Sequence, residues 1–194
     1  MIINILIALA IIVALFITVV ALRPADFRIA RSTTISAPPE AAFAQVNDLH
    51  RWQEMSPYAK VDPEAKYTFG GPRTGIGATL AWTGNSKVGA GRLTIIESRP
   101  NELVRMKLEF LKPFQATNTA EFAFQREADQ TKATWSMFGT SKFMCKAMGL
   151  FMNMDKMCGS QFEEGLANMK AIAEARVQEA EPVFLAVAAN GSRY

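Results

Sequence analysis

Between Ile35 and Tyr58 the chain reads ISAPPEAAFAQVNDLHRWQEMSPY, and this stretch limits the possible folds more than any other. It follows an alternating run, Arg28 to Ile35, whose period of two is that of a strand. Ser36-Ala37-Pro38-Pro39 stops that strand. Pro39 suits the first turn of a helix, and Glu40 falls near the positive end of the new helix dipole. Ala42, Phe43 and Val46 share one side of this short helix, and Leu49, Trp52 and Met55 mark a second one. Ser56-Pro57 ends the pair, because the residue before a proline is pushed out of the helical region.

From Lys66 to Thr140 the pattern is β throughout. Strands are expected over Lys66–Phe69, Ile76–Thr83, Lys87–Ser98, Leu103–Leu111, Gln115–Gln125 and Thr131–Thr140, separated by turn signals such as Gly84-Asn85-Ser86 and Arg99-Pro100-Asn101-Glu102. Connections this short imply a meander. The glycines of GGPRTGIG lead into a strand rather than a helix, so they read as turn glycines and not as a phosphate loop. From Phe143 to about Gln178 the period becomes helical. One broad face carries Phe143, Ala147, Leu150, Phe151, Met154, Cys158, Phe162, Gly165, Met169 and Ile172, with a break expected at Gly149 or Gly159. Residues 179–194 read as a flexible tail.

Ahead of the alternating run, Ile2 to Leu22 holds only Asn4 and Thr18 as polar side chains. As a helix it spans about 30 Å, the thickness of a bilayer core. A cleaved signal peptide is the alternative reading. The run exceeds the usual apolar region of such peptides, about 7–15 residues, and no Lys or Arg precedes it, so residues 1–24 are taken as a single transmembrane anchor. Arg23, Arg28 and Arg31 follow it. They fit contact with anionic headgroups and place the following domain on the cytoplasmic side.

The 21 basic and 18 acidic residues give a net charge of +3, too balanced for a nucleic-acid partner, and no basic stripe is interleaved with aromatics. The two cysteines, Cys145 and Cys158, would lie about 20 Å apart on a continuous helix, beyond disulfide reach. With His50 as the single histidine, no metal site is expected. No dinucleotide fingerprint follows a strand, so no cofactor is expected either.

The opening segment, the hairpin WTGNSKVGAGRLTIIESRPNELVRMKLEF, the strands NTAEFAF and TKATWSM, and the helix FEEGLANMK together resemble the SRPBCC superfamily, the START-like domains, in its polyketide cyclase/dehydrase-like branch. The resemblance implies an α+β helix-grip fold over residues 28–178: a curved antiparallel sheet wrapped around a long C-terminal helix, with a cavity for apolar ligands between them. It carries over no catalytic residue.

Strand alternation adds to this expectation. One face collects Leu80 and Trp82; Val104, Met106, Leu108 and Phe110; Phe122 and Phe124; Ala133, Trp135 and Met137. The expected ligand wall is Trp82, Met106, Phe110, Trp135, Met137 and Met154. Met148 and Met152 sit off the apolar helix face and suit the cavity mouth or the membrane. Two polar residues join the set. Arg92, sharing a face with Thr94 and Ile96, is expected to point inward and bind an anionic group. Asp155 flanks the apolar helix face among methionines, where desolvation would raise its pKa; a surface pairing with Lys156 or an arginine is the favoured alternative. His50 lies in an exposed-looking turn. The expected function is a membrane-anchored domain that binds a hydrophobic small molecule or lipid. A cyclase/dehydrase-type enzyme using Asp155 or Arg92 and a ligand-free interaction module are the alternatives.

Overall fold

The computed structural model describes residues 1–141, 143–151 and 153–191, with the side chains of Met144, Met148, Phe151 and 180–191 left out. A 21-residue helix, α1 (Ile2–Leu22), comes first. Its mean hydropathy of 3.3 and its length suffice to cross a membrane, features that a signal sequence shares. Strand β1 (Asp26–Ile35) follows, and then α2 (Pro39–Asn47), α3 (Leu49–Met55) and α4 (Tyr58–Val61). Six strands come next: β2 (Lys66–Gly70), β3 (Thr79–Thr83), β4 (Ala90–Arg99), β5 (Leu103–Lys112), β6 (Ala116–Glu127) and β7 (Gln130–Thr140). Helices α5 (Phe143–Phe151) and α6 (Met154–Gly191) close the chain.

The seven strands form one antiparallel sheet in the order β1-β7-β6-β5-β4-β3-β2. Each hairpin of the meander sets the next, and β1 closes the far side on β7, with Ile29 opposite Met137 and Arg31 opposite Trp135. Because partners across an antiparallel ladder share a face, the register gives the concave surface directly. Leu93, Leu108, Asn118 and Gly139 form one row; Ile95, Met106, Ala120, Met137 and Ile29 form the next.

Helix α6 presses Phe162, Leu166, Met169 and Ala173, each no more than 3% exposed, into this surface. Full burial of the three larger side chains stabilises by about 1.5–3 kcal/mol each. Gly165 sits where a Cβ would meet the Trp135 ring at 2.5 Å, so its missing side chain lets the helix approach the sheet. The helix packs chiefly along β1, while α2 covers the ends of β5 and β6 near Leu103 and Phe124. This is the helix-grip architecture expected from the sequence.

Several boundaries differ from expectation. The break between α5 and α6 falls at neither glycine. Asn153 makes it: its side-chain oxygen accepts the Lys156 backbone N–H at 2.9 Å, the geometry of a helix N-cap. Strand β3 begins at Thr79 rather than Ile76, because Gly75 and Gly77 take φ of +77° and +89° and turn the chain before it. Met148 and Met152, expected at a cavity mouth, lie outside the described side chains, as do 180–194 of the expected tail.

The joint between α2 and α3 rests on Asp48. This side chain is 8% exposed and accepts from the His50 backbone N–H at 3.0 Å and from Arg73 Nε at 3.1 Å. Burial alone would raise its pKa, but these bonds and the Arg73 charge outweigh it and hold the carboxyl below the ordinary value. A depressed folded-state pKa contributes stability that is present above the unfolded value, about 3.9, and is lost as pH falls through the folded value. Asp48→Asn is expected to cost about 1–3 kcal/mol at neutral pH. The gap between variant and parent in chemical denaturation should narrow as pH drops below about 4. An unchanged gap at pH 3 and pH 7 would show that the charge plays no part.

Candidate functional site

The strands outrun the helix. Where α6 begins, the ends of β5 and β6 lie beyond its cover, and α5 stands off from them. Between these elements lies a cleft of about 1460 Å³. This exceeds the 300–1,000 Å³ that is typical for drug-sized ligands. Phe110, Ala116, Asn118, Met137, Phe27 and Ile29 form its sheet wall; Leu150, Met154, Met157 and Cys158 line it from the helices. Its rim includes the β5–β6 connection, where Leu111 is 52% and Phe114 55% exposed.

The cleft opens beside the C-terminal end of α1. Val20 is fully buried, α1 rests against α5, Arg23 Nη1 donates to the Gly149 carbonyl at 2.9 Å, and Lys146 Nζ donates to the Arg23 carbonyl at 2.8 Å. The hydrophobic helix is thus tied directly to the helix that forms one wall.

Of the residues expected at a ligand wall, Phe110, Met137, Met154 and Asp155 line the cleft. Trp82 stands behind it. Its ring meets Phe110 edge to face at 6.1 Å, covers Gly91, and donates its Nε1–H to the Val88 carbonyl at 3.3 Å. Met106 and Trp135 are instead core residues. Met106 is fully buried between Ile95 and Ala120. Trp135 stacks on Phe162 at 4.3 Å and packs against Phe122 at 4.8 Å.

Of the two polar candidates, Arg92 differs from expectation and Asp155 takes the arginine partner that was its alternative. Arg92 does not point inward. It is exposed on the convex face, opposite Glu109 and Ala81, while its neighbours Leu93 and Ile95 face the core. Asp155 does not have a raised pKa. Its carboxylate accepts from Arg31 Nη2 at 2.9 Å, and that hydrogen bond holds its pKa below the ordinary value. Arg31 also donates from Nε to Glu163 at 2.8 Å and from Nη2 to the Asp155 carbonyl at 3.2 Å, so β1 grips the first turns of α6. Gly159 makes room for this guanidinium, because a Cβ there would collide with it. Arg31 is therefore a structural clamp between β1 and α6 rather than the headgroup contact expected of it. Neither Arg92 nor Asp155 is placed as a free acid, base or anion-binding group in the cleft.

Asn118 is a cleft residue that sequence reading missed. It lies opposite Leu108 and Gly139 on the inward face and puts an amide among apolar neighbours. Counting back in twos from Phe124 and Phe122 through Ala120 reaches it.

A single curved sheet gripping a C-terminal helix, with an open cavity at one end, defines a helix-grip ligand-binding domain of the SRPBCC type. The chain belongs to the polyketide cyclase/dehydrase and lipid transport family, whose model matches residues 26–174. No curated protein matches the chain. Among solved structures it is similar to the di-domain aromatase/cyclase StfQ of the steffimycin biosynthetic pathway: TM-score 0.58, 12% identity, covering 79% of this chain and 52% of that one. It is also similar to the Zhui aromatase/cyclase from Streptomyces sp. R1128, with TM-score 0.54 and 14% identity over 78% of this chain and 96% of that one. Protein Ms6760 from Mycobacterium smegmatis gives TM-score 0.56 and 16% identity over 77% and 92%. At these identities the likeness concerns the fold.

Proposed function

We propose that this is a membrane-anchored binding protein whose cleft takes up an apolar small molecule or lipid at the bilayer surface. The observation that carries the reading is the position of the cleft: a cavity of about 1460 Å³ with an apolar sheet wall opens beside the end of α1. On this reading residues 1–24 are an uncleaved span, 28–178 are the binding domain and 179–194 a tail. The domain lies on the cytoplasmic side, the side that basic residues next to a span favour. Ligands that concentrate in a membrane then reach the cleft without crossing water. Catalysis is not part of the reading, since Arg92 faces outward and Asp155 is engaged by Arg31.

Native mass spectrometry of the full chain, extracted in a mild nonionic detergent, tests this. The expected result is a retained apolar molecule at one per chain. Protein that carries no added mass, and whose tryptophan fluorescence responds to no lipid or aromatic probe, would overturn it.

A further inference from the structure

The charges of the cleft are unevenly committed. Its two acids already have partners: Glu109 lies 2.6 Å from Lys107, and Asp155 lies 2.9 Å from Arg31. Of its cations, Arg28 also has a partner, lying 3.4 Å from Glu121, but the three at the rim do not. Among the described residues, no carboxylate comes within ion-pair distance of Arg23, Lys112 or Lys146. Arg23 uses one guanidinium N–H on the Gly149 carbonyl, and Lys146 uses one ammonium N–H on the Arg23 carbonyl. A guanidinium has five donors and an ammonium three, so most of their donor capacity remains unspent.

The geometry also separates the two chemistries. Ile29 and Met137, 5% and 8% exposed, lie at the floor. Arg23 and Lys112 are exposed at the opening, and Lys146 is half-buried beside them. An apolar floor under a cationic rim suits a molecule with an anionic head and a long apolar body. A hydrocarbon would leave the rim cations unused, and a zwitterion would bring a cation of its own to a rim that is already positive.

Building on the ligand-binding reading above, we propose that the cleft selects an anionic amphiphile. Its apolar body lies against Phe110, Met137 and Met154, and its carboxylate or phosphate head is held at the rim by Arg23, Lys112 and Lys146. The tie between Arg23 and α5 keeps two of these cations at the end of α1, the level at which the heads of membrane amphiphiles lie. Charge-assisted hydrogen bonds of this kind are stronger than neutral ones. At a solvated rim they are also sensitive to salt, because ionic screening acts over about 10 Å at 0.1 M.

The test uses the full chain in nonionic detergent, loaded with the neutral dye Nile red, and four C18 competitors with one shared chain: oleate, oleyl phosphate, oleyl alcohol and oleylamine. The anions are expected to displace the dye at concentrations about tenfold lower than the alcohol at low salt, the worth of one to two charge-assisted contacts. High salt should close that gap, and oleylamine should be the weakest. A preference between oleate and oleyl phosphate tells a carboxylate head from a phosphate head. In Lys112→Gln/Lys146→Gln, which keeps only Arg23 of the three, the anions should lose most of their advantage over the alcohol. Because Lys146 also tethers Arg23, Lys112→Gln alone serves as the variant that leaves that tie intact, and it should lose part of the gap. Equal displacement by alcohol and anions, or a gap indifferent to salt and to both variants, overturns the headgroup assignment and leaves the binding reading standing. Failure of the dye and of all four competitors to bind overturns both.

Discussion

Trp135→Ala is expected to destabilise the domain by about 3–5 kcal/mol, the cost typical of truncating a buried tryptophan. The indole is 3% exposed and is the hub at which sheet and helices meet. Phe162 of α6 stacks on it at 4.3 Å, Phe122 of β6 lies at 4.8 Å, and Trp52 of α3 meets it edge to face at 5.5 Å. Gly165 lies directly against its ring. Removing it would leave a cavity that these three rings and a close-packed helix cannot collapse to fill, and the cost rises with the cavity that remains. Among the described residues its Nε1–H has no acceptor, so the cost is one of lost packing rather than of a lost hydrogen bond. Urea denaturation of the parent and the variant measures the difference. A loss below about 1 kcal/mol, accompanied by a large drop in ligand retention, would instead return Trp135 to the cavity wall that the sequence assigned it.

That contrast shows what the sequence could and could not tell. Alternation in β5, β6 and β7 identifies the inward residues, because Val104 to Phe110, Asn118 to Phe124 and Ala133 to Met137 each keep a period of two, and the ladder then aligns Val104, Phe122 and Trp135 in one row. Alternation does not say which part of that row the helix covers. Trp135 and Met137 are two residues apart on the same face, yet one is locked under α6 and the other lines the cleft. The difference depends on where α6 begins. That point is set by the capping side chain of Asn153, a residue the apolar periodicity passes over. Arg92 was misplaced for another local reason. Ile96 looks like an inward residue and drew Arg92 and Thr94 into its phase. A bulge between Ile95 and Glu97 leaves Ile96 out of the ladder and 47% exposed, so the inward phase runs through Leu93 and Ile95. For Asp155 the sequence suggests an arginine or lysine partner without saying which one. Its partner, Arg31, is 124 residues earlier, and only the closed sheet brings the two together.

Filling the cleft without touching the core separates its role from that of the fold. Ala116→Trp is expected to reduce ligand retention at least about tenfold, equivalent to about 1.4 kcal/mol. Ala116 is half-buried, pairs with Phe110 across the β5–β6 ladder and so shares its inward face. An indole there extends into the open volume of the cleft rather than into the close-packed rows around Trp135, so stability should shift by no more than about 0.5 kcal/mol. The matched control is Thr119→Trp, on the same strand but on the opposite face, beside Lys107 and Phe138. It adds the same ring to the convex surface and should leave retention unchanged. Native mass spectrometry of the two variants, side by side with the parent in the same detergent, gives the comparison. If Ala116→Trp carries as much ligand as Thr119→Trp, the bound molecule lies elsewhere and the cleft is an incidental gap between strands and helix. If retention falls only in Ala116→Trp while both variants unfold at the parent's denaturant concentration, the uncovered ends of β5 and β6 are what this fold leaves open for its ligand.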